Sequence, residues 1–153
     1  MGKILQLNGF KTLVVFLLFF IASGCKSNDP YLNRDEDKQE AEEVTNKLFM
    51  LIKEKKFEET LKLFGPEFYK KTSSTRLIDV YTMVSKQLGD LKSFEIEKWE
   101  TKRVEGDKPL GEYFFVFKTH YEKFDASESI RLAREKNGRI RIIAYTINSK
   151  HFK

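Results

Sequence analysis

Four cationic side chains near the C-terminal end of the chain could together bind an anion. Arg134 and Lys136 precede Asn137-Gly138, and Arg139 and Arg141 follow it. Asn-Gly is the strongest short signal for a two-residue hairpin turn, because both turn positions need a positive φ. Such a turn places Arg134 opposite Arg141 and Lys136 opposite Arg139. Like charges directly opposite each other destabilise a hairpin, so we expect these four to be compensated.

The same register pairs apolar residues further from the turn. Leu132 would face Ile143, and Ile130 would face Tyr145, on the same side of the hairpin as the cations. We expect this apolar half to enter the core. The four cations would then lie at the turn end of the hairpin, outside the core.

Two sources of negative charge can compensate the cations. Carboxylates of the chain itself would form surface ion pairs, each contributing about 0–1 kcal/mol. An external anion would be a lipid headgroup, a cell-envelope polymer or an acidic envelope protein. Both sources stay open on the sequence. The carboxylates nearest the predicted helix starts are Asp35, Glu36, Asp37, Glu40, Glu42, Glu43, Glu58 and Glu59.

Residue types common in enzymes lack partners at a recognised spacing. No second ligand follows His120 or His151 at the spacing of a zinc site. Asp79 and Tyr81 suit acid–base chemistry, but residues two apart on a helix point in different directions. The glycines form no phosphate-binding loop. We therefore predict no catalytic, cofactor-binding or metal-binding residue and a non-catalytic protein.

The only cysteine, Cys25, directly follows the small residues Ala22-Ser23-Gly24 and a short apolar run. Lys3 and Lys11 supply positive charge before that run. The arrangement resembles a bacterial lipoprotein signal peptide, which is cut just before the cysteine, although Ala22 stands where such peptides usually carry Leu. The run is about half of the roughly 20 residues that a membrane span needs. Plain secretion or an uncleaved anchor is the alternative.

The resemblance implies that Cys25 carries lipid and fixes the protein to a bilayer of the cell envelope. One acyl chain binds only marginally, whereas two or three make attachment effectively permanent. Lys26-Ser27 is not the Asp that some bacteria use for inner-membrane retention, so the outer membrane or cell surface is favoured. The precursor has a formal charge of +5, and removing the leader lowers it. So small a positive charge is far from a nucleic-acid-binding signature.

The chain divides into a processed leader and one domain. The predicted segments are a signal peptide at 1–24, a lipidated cysteine with a flexible tether at 25–39, the domain at 40–149 and a tail at 150–153.

Hydrophobic spacing predicts helices in the first half of the domain. Apolar residues recur every three or four positions from Ala41 to Ile52, again from Phe57 to Phe64, and from Leu77 to Leu88. Pro66 starts a further short turn. Ser73-Ser74 is a suitable cap for the last helix, and Gly89 ends it.

From Leu91 onward the apolar period becomes two, which predicts strands. The strands are expected around 91–99, 111–124, 128–136 and 139–148. Helices followed by hairpin-linked strands predict an α+β fold, with N-terminal helices packed on a curved four-stranded antiparallel sheet.

Residues 41–149 resemble the nuclear-transport-factor-2-like (cystatin-like) superfamily and, more narrowly, a bacterial extracytoplasmic family of unknown function. The matching stretches are KFEETLKLFGPEFYKK, KQLGDLKSFEI, GEYFFVFKTHYEKF and LAREKNGRIRIIAYTIN. The resemblance implies a cone in which a sheet wraps the first helix, a pocket inside the cone, and a homodimer formed through the exposed sheet. Such folds host enzymes and binding modules alike.

The sequence therefore predicts a lipid-anchored binding or scaffolding module of the cell envelope. The alternative is a lipid-anchored enzyme of the isomerase or hydratase kind that uses the cone pocket. Two titratable groups converging inside the cone would favour the enzyme.

Overall fold

The computed structural model describes residues 30–106 and 109–153. The predicted signal peptide and Cys25 lie outside the described residues. Helix α1 spans Asp35–Lys53 and begins with three carboxylates, which the positive end of the helix dipole stabilises. It ends where Lys55 adopts a φ of 58°.

Three shorter helical segments and one long helix follow. Helix α2 is Phe57–Thr60, a 3₁₀ turn covers Leu61–Leu63, and α3 is Pro66–Tyr69. Helix α4 is Ser74–Leu88. Its first turn is capped by the Ser73 hydroxyl, which accepts from the Arg76 amide at 3.1 Å. These positions confirm the predicted helices.

Five antiparallel strands form one curved sheet in the order of the sequence. They are β1 (Tyr31–Leu32), β2 (Leu91–Val104), β3 (Leu110–Tyr121), β4 (Asp125–Arg134) and β5 (Ile140–Asn148). The α+β class is confirmed, but the predicted four strands are five. Strand β1 was missed because two residues are too few to show an alternating pattern.

Most of the described residues that the sequence assigned to the tether lie in regular secondary structure. Residues 31–32 are strand β1, and α1 starts at residue 35. Asn33 extends the pairing of β1, since its amide donates to the Thr101 carbonyl at 3.0 Å and its side chain accepts from the Thr101 amide at 2.9 Å. These two hydrogen bonds, one between main chains and one to the Asn33 side chain, fix the position of a polar stretch.

The helices pack on one face of the sheet, which we call the inner face. Phe49 of α1 stacks on Phe94 of β2 with ring centroids 4.5 Å apart, and it meets the edge of Phe117 of β3 at 4.8 Å. Tyr81 of α4 and Ile130 of β4 are buried in the same core. The other face of the sheet, the outer face, carries the alternate residues of each strand.

The β4–β5 hairpin differs from its predicted register. Arg134 pairs with Ile140 and Ala133 with Arg141, whereas Ile130 pairs with Tyr145 as predicted. The loop is one residue longer than a two-residue turn: the Gly138 amide donates to the Glu135 carbonyl, and only Gly138 has a positive φ, 85°. This is a three-residue hairpin with glycine at the left-handed position.

The hairpin register changes again beyond Leu132. Leu132 pairs with Ile142 rather than Ile143, and a bulge between Arg131 and Leu132 restores the predicted register nearer Ile130. The main chain at Phe64 lies parallel to Ile142, and the Gly65 amide donates to the Ile142 carbonyl at 2.9 Å. The segment before α3 therefore lies along the edge of β5 that faces away from β4.

Candidate functional site

Arg134, the first of the four predicted patch cations, is compensated inside the protein. Its side chain is 17 % exposed and forms an ion pair with Glu40 of α1. Its guanidinium also donates to the Tyr113 hydroxyl at 3.1 Å and to the Gly138 carbonyl at 2.9 Å. Arg134 thus joins α1, β3 and the hairpin loop.

The other three cations do not gather around Arg134. Lys136 and Arg139 are exposed at the hairpin loop. Arg141 pairs with Ala133 and so lies on the opposite face of the hairpin from Arg134. Arg141 instead packs close to Gly65: its Cβ would be only 3.0 Å from a Cβ added at Gly65. The predicted cross-strand pairs of like charge are absent among the described residues, because the longer loop shifts the register.

A buried carboxylate lies on the inner face, where the sequence suggested only apolar residues. Glu128 of β4 is fully buried. Its Oε1 accepts from the Tyr121 hydroxyl at 2.7 Å and the Thr119 hydroxyl at 2.8 Å. Its Oε2 accepts from the Tyr145 hydroxyl at 2.5 Å. Residues from three strands thus converge on one acid.

Burial sets the protonation of this cluster. It raises the pKa of Glu128 above that of an ordinary carboxyl, and the hydroxyls of Tyr145, Tyr121 and Thr119 oppose this by donating to the charged form. Burial, together with the nearby Glu128 charge, also raises the pKa values of Tyr121 and Tyr145. The cluster therefore holds its protons tightly.

Tyr81 borders the acid cluster from α4. Its ring centroid lies 6.1 Å from that of Tyr145. Burial raises the Tyr81 pKa, and the neighbouring Thr60 hydroxyl opposes this. Asp79 is exposed while Tyr81 is buried, so the two do not form a shared site.

Sequence reasoning missed this cluster, although one signal was present. Glu128 stands in alternation with Ala126 and Ile130, so a strand that buries those two must also bury the acid. An acidic residue at an inward position predicts partners that satisfy it. Which hydroxyls do so depends on pairings between distant strands.

His120 has a carboxylate partner across the β3–β4 hairpin. Its Nδ1 lies 2.9 Å from Asp125 Oδ1, and Glu95 Oε1 of β2 lies 3.8 Å from its Nε2. All three residues lie on the outer face. The sequence did not reveal Asp125 as a partner, because no recognised motif spans five residues across a hairpin.

A cleft of about 400 Å³ crosses the outer face from β1 towards β5. The Arg131 guanidinium lies 4.8 Å above the Phe114 ring in this cleft. Lys102 and two carboxylates, Glu100 and Glu112, also line it. Glu100 pairs with Lys98 at 2.7 Å. The cleft thus offers both charge signs around one aromatic face, with Leu32 and Ile143 at its sides.

Within 30–106 and 109–153, no group of histidine, cysteine and acidic side chains has the arrangement of a metal site. None of the helices in these ranges is long and apolar enough to span a membrane.

The comparison with protein families gives one match. The family model for a protein of unknown function, DUF4019, matches residues 44–145. The chain belongs to the DUF4019 family. The DUF4019 region starts within α1 and ends in β5, so it includes Glu128, its three hydroxyl partners and the cleft residues Glu100 and Arg131. No curated protein and no solved structure is significantly similar to the chain.

Proposed function

We propose that this DUF4019 protein is a lipid-anchored, non-catalytic binding module of the bacterial cell envelope. One observation carries the proposal: a lone cysteine follows a short apolar run and small residues. The first described strand lies only six residues further along the chain, at Tyr31. Lipid at Cys25 would provide location, and the domain would provide a binding surface. The residues after Cys25 favour the outer membrane or the cell surface.

We further propose that the domain is a cone of the nuclear-transport-factor-2-like kind. A long first helix packed against a curved antiparallel sheet supports this assignment. Phe49, in the C-terminal part of α1, packs against Phe94 of β2 and Phe117 of β3. The inner face is thereby occupied by core side chains.

The outer cleft is the binding site that the geometry favours. Its volume of about 400 Å³ lies in the range of ordinary ligand sites. Phe114, with the Arg131 guanidinium over its ring, supplies apolar and cationic surface together. Lys102 adds a second positive charge, and Glu100 and Glu112 add negative charge. A ligand that carries both charges along an extended chain matches this lining, so we propose a peptide segment of an envelope protein.

The enzyme alternative has one observation in its favour. Titratable groups do converge on the inner face, where Glu128 meets Tyr121 and Tyr145. An acid catalyst must reach its substrate within hydrogen-bond distance. Glu128 is fully buried and three hydroxyls of the protein hydrogen-bond to its oxygens. The cluster therefore favours a structural acid over a catalytic one.

Intact-mass analysis of material from the native host tests the anchor. We expect the membrane fraction to contain a chain that begins at Cys25 and carries acyl groups, and Cys25→Ser to abolish acylation and membrane retention. Ser27→Ala is the matched control and should leave both unchanged. A free thiol with the leader attached, or a soluble product cut elsewhere, would refute the anchor.

Photocrosslinking in the intact envelope tests the cleft. A photoreactive residue replacing Glu112 should give one defined protein adduct, which Arg131→Ala should remove. The control replaces Glu95 of β2, which lies on the outer face like Glu112 but outside the cleft. Equal adducts at both positions, or none at Glu112, would contradict the proposed binding site.

A further inference from the structure

The strand order brings several chain segments to one end of the sheet. Strand β2 ends at Val104, β3 begins at Leu110, and β4 ends at Arg134 beside the start of β5 at Ile140. Strand β1 pairs with the same end of β2, since Tyr31 lies opposite Arg103. We call this the anchor end, because β1 is the described strand nearest to Cys25.

Apolar side chains are exposed at the anchor end. Leu32 is 63 % exposed and Leu110 is 39 % exposed. Leu32 lies opposite Lys102 and so diagonal to Val104, while Leu110 lies directly opposite Val104. These three residues are therefore neighbours on the outer face. Tyr31, 44 % exposed, lies on the other face of β1, with the Arg34 guanidinium 4.2 Å from its ring centroid.

Chain length limits how far this end can be from a lipid attached to Cys25. Six residue steps separate Cys25 from Tyr31, and a fully extended chain gains at most about 3.5 Å per residue. The anchor end thus lies within about 20 Å of the lipid attachment point. That distance is smaller than the length of helix α1, whose 19 residues rise about 1.5 Å each.

Charge at the anchor end favours neither sign. Lys102, Lys136 and Arg139 are exposed there, and so are Asp35 and Glu36 at the start of α1. Attraction to anionic lipid is therefore offset, and apolar burial has to supply the contact. Tyrosine beside leucine is a combination found at membrane interfaces, where one end of the side chain is apolar and the other is hydrated.

We propose that the anchor end docks on the bilayer that holds the lipid, with Leu32 and Leu110 entering the headgroup region. This inference rests on the proposed lipid anchor. It fixes the orientation of the domain: the β3–β4 turn points away from the membrane, and the part of the cleft around Arg131 stays open to solvent.

Depth-dependent fluorescence quenching tests the orientation. Acylated full-length protein is placed in phosphatidylcholine vesicles, with or without lipids brominated on their acyl chains. Because Cys25 is blocked by lipid, Leu110→Cys gives a single site for an environment-sensitive fluorophore. Phe124→Cys is the matched control: Phe124 is 40 % exposed and lies in the turn at the opposite end of the sheet. Leu32→Cys is a second probe in case one variant perturbs the fold.

The brominated lipid should remove most of the emission at positions 32 and 110 and leave position 124 unchanged. Equal quenching at all positions, or none at 32 and 110 in protein that co-floats with the vesicles, would overturn docking while leaving the anchor intact. Failure to co-float would refute the anchor and the inference that rests on it. No quenching by the brominated lipid, together with disulfide crosslinks between chains through the unlabelled cysteine at position 110 under mild oxidation, would assign the apolar surface to a second copy instead.

Discussion

At the scale of single residues, the unusual feature is the buried carboxyl of Glu128, which is surrounded by two tyrosine hydroxyls and one threonine hydroxyl. A charged Glu128 would lose its hydration on folding, and three hydroxyls replace only part of it. Protonation removes the charge and lets the acid donate a proton of its own. Burial therefore favours the neutral acid in the folded protein, as the raised pKa of Glu128 indicates.

This protonation has a consequence for stability at different pH. A carboxyl whose pKa is raised by folding stabilises the native state fully below its unfolded pKa of about 4.3. That contribution is lost as the pH rises through the pKa of the folded state. We expect the free energy of unfolding to fall over this interval in the wild type and to stay flatter in Glu128→Gln, as measured by urea denaturation at several pH values. Parallel curves for the two proteins would show that Glu128 folds with its charge.

Arg134 and Arg139 are two of the four predicted patch cations. Arg134 is mostly buried and Arg139 is exposed, so variants of the two can be compared. Removing Arg134 leaves the Tyr113 hydroxyl and the Gly138 carbonyl without their donor, so Arg134→Met should lower the free energy of unfolding by about 1–3 kcal/mol. Arg139→Met removes an exposed side chain and should change it by less than about 0.5 kcal/mol. Equal losses in chemical denaturation would contradict the internal role of Arg134.

At the scale of elements, helix caps and turns decide where segments begin and end. Ser73 and Ser74 are adjacent, but only Ser73 hydrogen-bonds to the first turn of α4. Ser73→Ala should therefore reduce stability by about 1 kcal/mol, and Ser74→Ala should be close to neutral. Thermal unfolding measures both. The reverse order would place the cap one residue later.

The hairpin loop provides a second test at this scale. Gly138 has a φ of 85° and nothing within 4 Å of the place that a Cβ would occupy. A substitution there reports backbone strain alone, so Gly138→Ala should cost about 1–2 kcal/mol. Gly138→Asn should cost less, because asparagine tolerates left-handed geometry. Equal unfolding energies for the two variants would contradict this account.

Local periodicity predicted α1, α4 and the four long strands because each is several turns or alternations long, and Pro66 marked the one-turn helix α3. Strand β1 has no period to detect, and its existence depends on the edge of β2 and on Asn33. The register failed because a glycine after asparagine serves both a two-residue turn and a three-residue loop. The Glu128 cluster depends on which residues of β3 and β5 lie beside β4, and a single sequence does not state that.

At the scale of the whole molecule, order should be greatest at the centre of the sheet. Strand β3 is paired on both sides, and its inward residues Phe115 and Phe117 are fully buried. Strand β1 has two exposed residues and one neighbour. We expect amide hydrogens of β3 to exchange slowest and those of β1 fastest. Hydrogen-exchange mass spectrometry checks this, and slow exchange in β1 of the vesicle-free protein would contradict it.

Part of each margin of the sheet is covered against strand addition. Phe64 and Gly65 run beside β5, and β1 covers one end of β2, whose remaining margin carries a bulge and the charged residues Glu95, Glu97 and Lys98. Tethering many copies in a common orientation would raise their local concentration and invite edge-to-edge polymerisation. This architecture disfavours that outcome at the covered parts of both margins, so we expect two copies to associate through the outer face and not by continuing the sheet from one copy into the next.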